Sequence, residues 1–257
     1  MKKTDDINAL LGKSLKLFEK FHNSTKIKEL PKKEKDSKYW PKEWETVYYK
    51  GYERLDEIIL PEPGSLGNAS LKNVLVKRKS ELEFSDVSLS IDKLSTLLHY
   101  SAGINKHDKL DVRRFYPSAG SRYPLEVYVL STNVSEVVSG AYHYYLKEHS
   151  LEELVLFKRN SNFKKLFNQE WIHKAAITIV ITALPRRSTM KYEDRGYRYI
   201  LAEAGHVAQN FYLTSTALNL ACCAVGGYVD DNIHELLDID GVSESVVYVL
   251  AVGEKKT

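Results

Sequence analysis

The sequence predicts an α+β fold, in a chain whose 257 residues are enough to bury a full core as one large domain or one domain with an appendage. Three observations carry this. From Ala204 to Val229 there is no Asp, Glu, Lys or Arg, so a helix there is apolar on most sides and the rest of the domain must wrap around it. Two β-branched runs, ITIVITAL (177–184) and SVVYVLAVG (245–253), suit buried strands. Between them in character is AYHYYLKEHSLEELVLF, which reads as a hairpin turning near Lys147 to His149.

Taken in order, residues 5–21 read as an amphipathic helix, with Ile7, Leu10, Leu11, Leu15 and Phe18 at helical spacing among charges. That pattern is not the single apolar block of a signal peptide, so the expected location is cytoplasmic. A Lys-rich linker follows from Lys26 to Lys38, broken by Pro31. The next stretch, YWPKEWETVYYKGYERLDEIILPEP, is aromatic but punctuated by Pro41, Gly51, Pro61 and Pro63, and should run extended over a surface. LKNVLVKRKS is a helix whose basic end (Lys77, Arg78, Lys79) meets Ser80. The cluster offers charge-assisted donors to a phosphate, but as a bare pattern it is nonspecific and reads first as an exposed helix end.

SIDKLSTLLHYSAG has Ser90 as N-cap and Gly103 as stop, an ordinary core helix. RRFYPSAGSRYPLEVYVL turns a small-residue loop into a strand with Leu125, Val127 and Val129 on one side. Such a loop lets backbone approach a flat ligand, with Ser118 able to donate; a tight turn is the competing reading. DDNIHELLDI is a short helix.

The uncharged run is no bilayer span, because His206, Gln209, Asn210, Thr214, Ser215, Thr216 and Asn219 interrupt it. Its end, Gly226 and Gly227, is a turn or a close backbone approach. Cys222 and Cys223 are adjacent, which offers neither a disulfide framework nor zinc spacing, and they read as packing residues. His143 and His149 lack a second ligand at metal spacing and read as hairpin surface residues, leaving no metal site. Charge is uneven: residues 1–50 hold 13 Lys against 8 acidic residues (+5), and residues 51–257 hold 24 basic against 26 acidic (−2). A basic leader suits an acidic partner or nucleic acid, but the charge alone reads first as a solvated lysine-rich surface.

Set side by side, KRKS, RRFYPSAGSRYPLEVYV, KYEDRGYRYILAEAGHVAQN and AVGGY, in that order, resemble the FMN-dependent nitroreductase-like family. More narrowly they resemble its SagB-type azoline dehydrogenases, which act on thiazole/oxazole-modified peptides. FHNSTK and PKEWETVYYKGYERLDEIILPEP resemble that subfamily's N-terminal extension. The resemblance implies a mostly antiparallel sheet flanked by helices. It divides the chain into an extension over residues 1–70 and an FMN-binding domain over 71–257, in a homodimer with FMN at its interface.

Carried over by motif, Arg78, Lys79 and Ser80 bind phosphate and ribityl oxygens. Pro117, Ser118, Ala119 and Gly120 lie beside the isoalloxazine ring, with Arg114 at its polar edge. Gly226 and Gly227 face the flavin N5, and Lys255 or Lys256 completes the phosphate site. Leu82 stands where many relatives have a basic residue, which shifts weight to that C-terminal lysine. Lys191 and Tyr192 are the pair that separates the subfamily from general nitroreductases. Aromatising an azoline removes a hydride and a proton, so a flavin and a base are both needed. Arg195, Tyr197 and Arg198 read as structural or substrate-positioning. The implied partners are an azoline-containing precursor peptide and the cyclodehydratase that makes the azolines, with neither nucleic acid nor membrane. The competing expectations are a generic NAD(P)H-dependent nitro or quinone reductase and a non-catalytic scaffold subunit.

Overall fold

The computed structural model describes residues 15–29, 37–67, 69–108, 111–157 and 165–256. The expected first helix is present from Leu15 to Ser24 (α1); residues 5–14 and most of the lysine-rich linker lie outside the described residues. After it come α2 (Leu71–Lys77) and α3 (Ile91–Ala102), whose N-caps Ser70 and Ser90 accept from Asn73 N and Lys93 N. The remaining helices are α4 (Arg186–Tyr192), α5 (Gly196–Ala217) and α6 (Asp230–Leu237). The strands are β1 (Glu57–Ile59), β2 (Ile104–Asp108), β3 (Asp111–Arg114), β4 (Leu125–Ser131) and β5 (Gly140–Tyr145). They continue as β6 (Ser150–Leu156), β7 (Ile177–Ala183), β8 (Leu220–Ala224) and β9 (Ser245–Glu254).

Seven strands form one sheet in the order β1-β6-β5-β4-β7-β9-β8, every neighbouring pair antiparallel, while β2 and β3 make a separate ribbon. The α+β architecture of an antiparallel sheet flanked by helices is therefore present. Alternation along the central strands sorts two cores. Leu125, Val127 and Val129 join Ile177, Ile179 and Ile181 under Leu97, Leu98, Val207 and Phe211 of α3 and α5. Tyr128, Leu130, Val180 and Val249 face the other way, against Phe167, Ile233 and Leu237. With both faces covered, β4 and β7 are buried along their whole length.

Two expectations are corrected. The uncharged run is not helical throughout. It is helical only to Ala217, and Asn219 (φ 57°) turns it into edge strand β8, where Cys222 and Cys223 are buried as expected. Within one chain α5 keeps an exposed face through Tyr197, Leu201, Gly205 and Gln209. Its length and interruptions match the reading as core, since among the described residues no helix is long and apolar enough to cross a membrane.

The histidines are the second correction: His143 is not on a hairpin surface, and His149 is only partly exposed at the turn. β5 is an interior strand, so His143 points into the sheet's second face and is fully buried. Its Nδ1 lies 2.7 Å from Glu152 Oε2 and its Nε2 3.2 Å from Glu126 Oε2. Burial alone favours the neutral ring, but two carboxylates outweigh it and raise the His143 pKa. His149, at the turn, bridges Ser95 Oγ and Tyr144 OH at 2.8 Å each. The extended segment after Tyr39 covers this face: Lys50 Nζ bonds Glu244 at 2.6 Å, and Tyr52 N donates to Glu152 Oε1 at 2.7 Å.

Candidate active site

The loop before β4 carries the first part of the site. Gly120 (φ 59°), Ser121 (φ 53°) and Tyr123 (φ 46°) all take left-handed backbone, a conformation only glycine adopts freely. Ser118 fastens the turn by accepting from Tyr123 N at 2.9 Å. Its own hydroxyl does not point outward to a ligand, as the sequence suggests, but donates to Glu203 Oε2 of α5 at 2.6 Å. Glu203 is buried, its Oε1 makes no hydrogen bond, and burial pushes its pKa up to about 7 against the pull of Ser118 and Arg114. Sequence reasoning passed over this residue. The available signal was a lone acid at the start of a helical run otherwise free of charge.

The second part is α4, which ends because Glu193 takes φ 51° and so leaves Lys191 and Tyr192 on its last turn. Both meet Gly120. A side chain at Gly120 would run into the Tyr192 hydroxyl and come within 3.2 Å of Lys191 Nζ. The loop and the Lys-Tyr pair, 71 residues apart between Gly120 and Lys191, thus share one spot. Desolvation, helped by the charge of Arg122, lowers the Lys191 pKa, whereas desolvation raises that of Tyr192. Arg195 and Arg198 hold the N-terminal segment instead, bonding Thr25 O and Thr25 Oγ1 at 2.7 Å each.

A third group gathers around Tyr212, two and a half turns along α5 from Glu203, or about 14 Å at 1.5 Å per residue. Arg78 lies 5.4 Å from the Tyr212 ring, Ser80 Oγ is 3.1 Å from its hydroxyl, and Ala224 N donates to that hydroxyl at 2.7 Å. Glu81 Oε1 is approached by Lys255 Nζ at 3.0 Å and by Lys79 Nζ at 3.6 Å. Three cations (Arg78, Lys79, Lys255) against the single carboxylate of Glu81 leave surplus positive charge, a donor set that fits a phosphate. It is Lys255 rather than the exposed Lys256 that joins this cluster, and Leu82 is exposed.

The remaining candidate residues lie apart from the spot at Gly120. Arg114 turns inward, bonding Tyr116 OH at 2.7 Å and Leu125 O at 3.3 Å and lying 4.6 Å from the Tyr123 ring centre; its Nε and Nη2 are buried without partners. Gly226 and Gly227 do not meet Pro117, Ala119 or Gly120. They follow β8, three places from β4 in the sheet, roughly 14 Å at the usual strand spacing. The neighbour of Gly227 is Gln169, whose side-chain amide occupies the space a Cβ would need.

Comparison with known proteins shows the family. Residues 75–254 match the nitroreductase family. A nitroreductase-named protein of Methanocaldococcus jannaschii, MJ1384, is 36% identical over 202 residues, which are 77% of this chain and 96% of that protein. The microcin B17-processing protein McbC of Escherichia coli is 28% identical over 198 residues, 74% of this chain and 72% of McbC. The E. coli microcin synthetase McbBCD complex, solved with truncated pro-MccB17 bound, matches with a TM-score of 0.64 at 24% identity, over 96% of this chain and 94% of the matched one. A nitroreductase-named structure from Anabaena variabilis gives a TM-score of 0.73 at 23% identity over 92% of this chain, which spans 46% of that longer one. At these identities the two structures show a shared fold.

Proposed function

Since the chain belongs to the nitroreductase family, we propose that it is an FMN-dependent dehydrogenase that oxidises thiazoline and oxazoline rings of a ribosomally made precursor peptide to thiazoles and oxazoles. The observation that carries this reading is the convergence of Gly120, Lys191 Nζ and the Tyr192 hydroxyl. A base next to a glycine-floored loop is what removing a proton from a flat ring requires. The similarity to a microcin-processing protein supports the choice of a peptide-borne ring.

The chemistry that FMN supplies when bound is hydride acceptance, with dioxygen as the final oxidant. Arg78, Lys79, Ser80 and Lys255 would hold its phosphate end, and the loop from Pro117 to Gly120 its ring end, with Arg114 under the loop as support. We assign Lys191 as the base of the pair, since desolvation and the charge of Arg122 lower its pKa, whereas desolvation raises that of Tyr192. Gly226 and Gly227 lie too far from the loop in one chain, so their proposed place at the flavin is supplied by a second copy across a homodimer. Exposed Leu71, Leu75 and Val76 of α2 and Leu201 of α5 give that copy an apolar surface. The enzyme would work on a precursor peptide beside a cyclodehydratase, in line with the microcin synthetase complex to which the fold is similar. We read residues 1–70 as an extension to a domain spanning 71–257.

The decisive comparison sets wild type beside Lys191→Ala and Tyr192→Phe, recording flavin content by absorbance and the two-dalton mass loss of an azoline peptide. Flavin retained with oxidation lost in Lys191→Ala supports the assignment. Wild-type oxidation in both variants removes it. The 36% identity to a nitroreductase-named protein favours a second reading, an NAD(P)H-dependent nitro or quinone reductase. Rapid flavin bleaching by NAD(P)H together with unchanged azoline mass would select that reading.

A further inference from the structure

The N-terminal segment reaches the same spot. Lys191 Nζ lies 3.9 Å from the centre of the Trp40 ring, 5.8 Å from that of Trp44 and 5.6 Å from that of Tyr192. A face-on approach at such distances attracts an ammonium to the electron-rich face of an aromatic ring. The two indoles, 6.2 Å apart and tilted by 56°, thus form a partial box around the lysine whose floor is Gly120.

The box is held rigidly from below. Arg122, on the loop side and almost fully buried, donates to the carbonyls of both Trp44 and Thr46. Its Nε donates at 3.2 Å to Arg187 O, in the same helix as Lys191. One guanidinium therefore pins the tryptophan-bearing segment, the loop and α4 to each other. Two 3₁₀ turns, Ser37–Tyr39 and Lys42–Trp44, flank Pro41 and leave Trp40 between them. Proline fixes the backbone at this point and limits how far the indole can swing.

From these contacts we infer that the segment from Trp40 to Thr46 is a working part of the site, in which Trp40, backed by Trp44, is a positioning residue that holds the Lys191 ammonium over Gly120. The catalytic half of this inference rests on the reading of Lys191 as the base; the box itself does not. The ring faces favour the charged form, so they hold in one place the ammonium that Lys191 becomes on accepting the substrate's proton. Long, flexible lysine side chains otherwise lose much of their entropy on being localised, and a preformed aromatic wall reduces that cost at the moment of reaction.

The test uses the full chain with its lysines reductively dimethylated with ¹³C-formaldehyde, a change that keeps the positive charge. The Lys191 methyl signals are assigned by their loss in Lys191→Arg. Ring currents should displace these signals from the envelope of the other lysines, Trp40→Ala should return them to it, and Trp40→Phe should keep part of the displacement. In unmodified enzyme, Trp40→Ala should slow azoline oxidation roughly tenfold, with Trp40→Phe restoring most of the rate. Wild-type Lys191 signals inside the common envelope would overturn the box. Displacement that depends on Trp40, combined with an unchanged oxidation rate in Trp40→Ala, would overturn the positioning role. If Lys191→Ala oxidises azolines normally while the displacement persists, the box stands and the assignment of Lys191 as base falls.

Discussion

Glu203 is the residue whose chemistry is most exposed to pH. Its carboxyl titrates near an ordinary value of 4.5 when unfolded and at about 7 when folded, because burial disfavours the charged form. The folded state therefore binds the extra proton. The stability linked to this group is complete below pH 4.5 and is lost as pH rises through 7. Glu203→Gln, a neutral isostere able to keep a bond to Ser118, should remove a loss on the order of 2 kcal/mol between pH 5 and 8. Urea unfolding of both proteins across that range checks it, and parallel pH dependences would show that Glu203 titrates normally. The same bond sets the state of the loop: a protonated Glu203 donates to Ser118 and frees the serine hydroxyl to donate elsewhere. Of the candidate residues, Lys191, Tyr192 and Gly120 were legible as neighbours in function from motif alone. Glu203 was not, since a glutamate's burial depends on what packs over it.

At the scale of elements, α4 matters because it carries the Lys-Tyr pair, and a buried ionic chain ties it to the sheet. Arg187 NH1 lies 2.6 Å from Glu126 Oε1, and Glu126 in turn meets His143, which meets Glu152. Burial alone would push the Glu126 carboxyl up, yet His143 and Arg187 hold it down at about 2. Removing one member leaves a charge buried without its partner, which is more costly than never having built the pair. Arg187→Met should thus destabilise the fold by roughly 3–5 kcal/mol. Adding Glu126→Gln to it should recover part of that loss. Denaturant midpoints for the single and double variants give the answer, and a single-variant loss below about 1 kcal/mol would mean the pair behaves as a surface salt bridge. A helix boundary can follow from a local signal, as with Ser90 at the start of α3. The tie between α4 and β4 does not, because Arg187 and Glu126 are 61 residues apart.

For the whole molecule, the uncovered face is the informative feature. α5 packs one side on the core and in one chain leaves Tyr197 and Leu201 exposed, beside α2 with Leu75 and Val76 outward. A face of this kind on a folded chain suits a second copy. Sedimentation at micromolar concentration should find a dimer, and Val76→Glu combined with Leu201→Glu should give a folded monomer that retains little flavin. A wild-type monomer that still holds flavin would exclude the interface and would leave Gly226 and Gly227 without a role at the site.

What the sequence determined by itself was everything set by near neighbours. The periods of the strands and helices, the cap at Ser90, the glycine stop at Gly103 and the buried runs 177–184 and 245–253 are properties of stretches shorter than about 20 residues, and they read directly. The motif order also led to the right family. Tertiary structure alone decided which side chains meet. Trp44 joins Arg122 across 78 residues, Ser118 meets Glu203 across 85, and His143 is buried because β5 lies inside the sheet rather than at its edge. Such contacts depend on strand order and on which face an element covers. Local spacing carries no record of either.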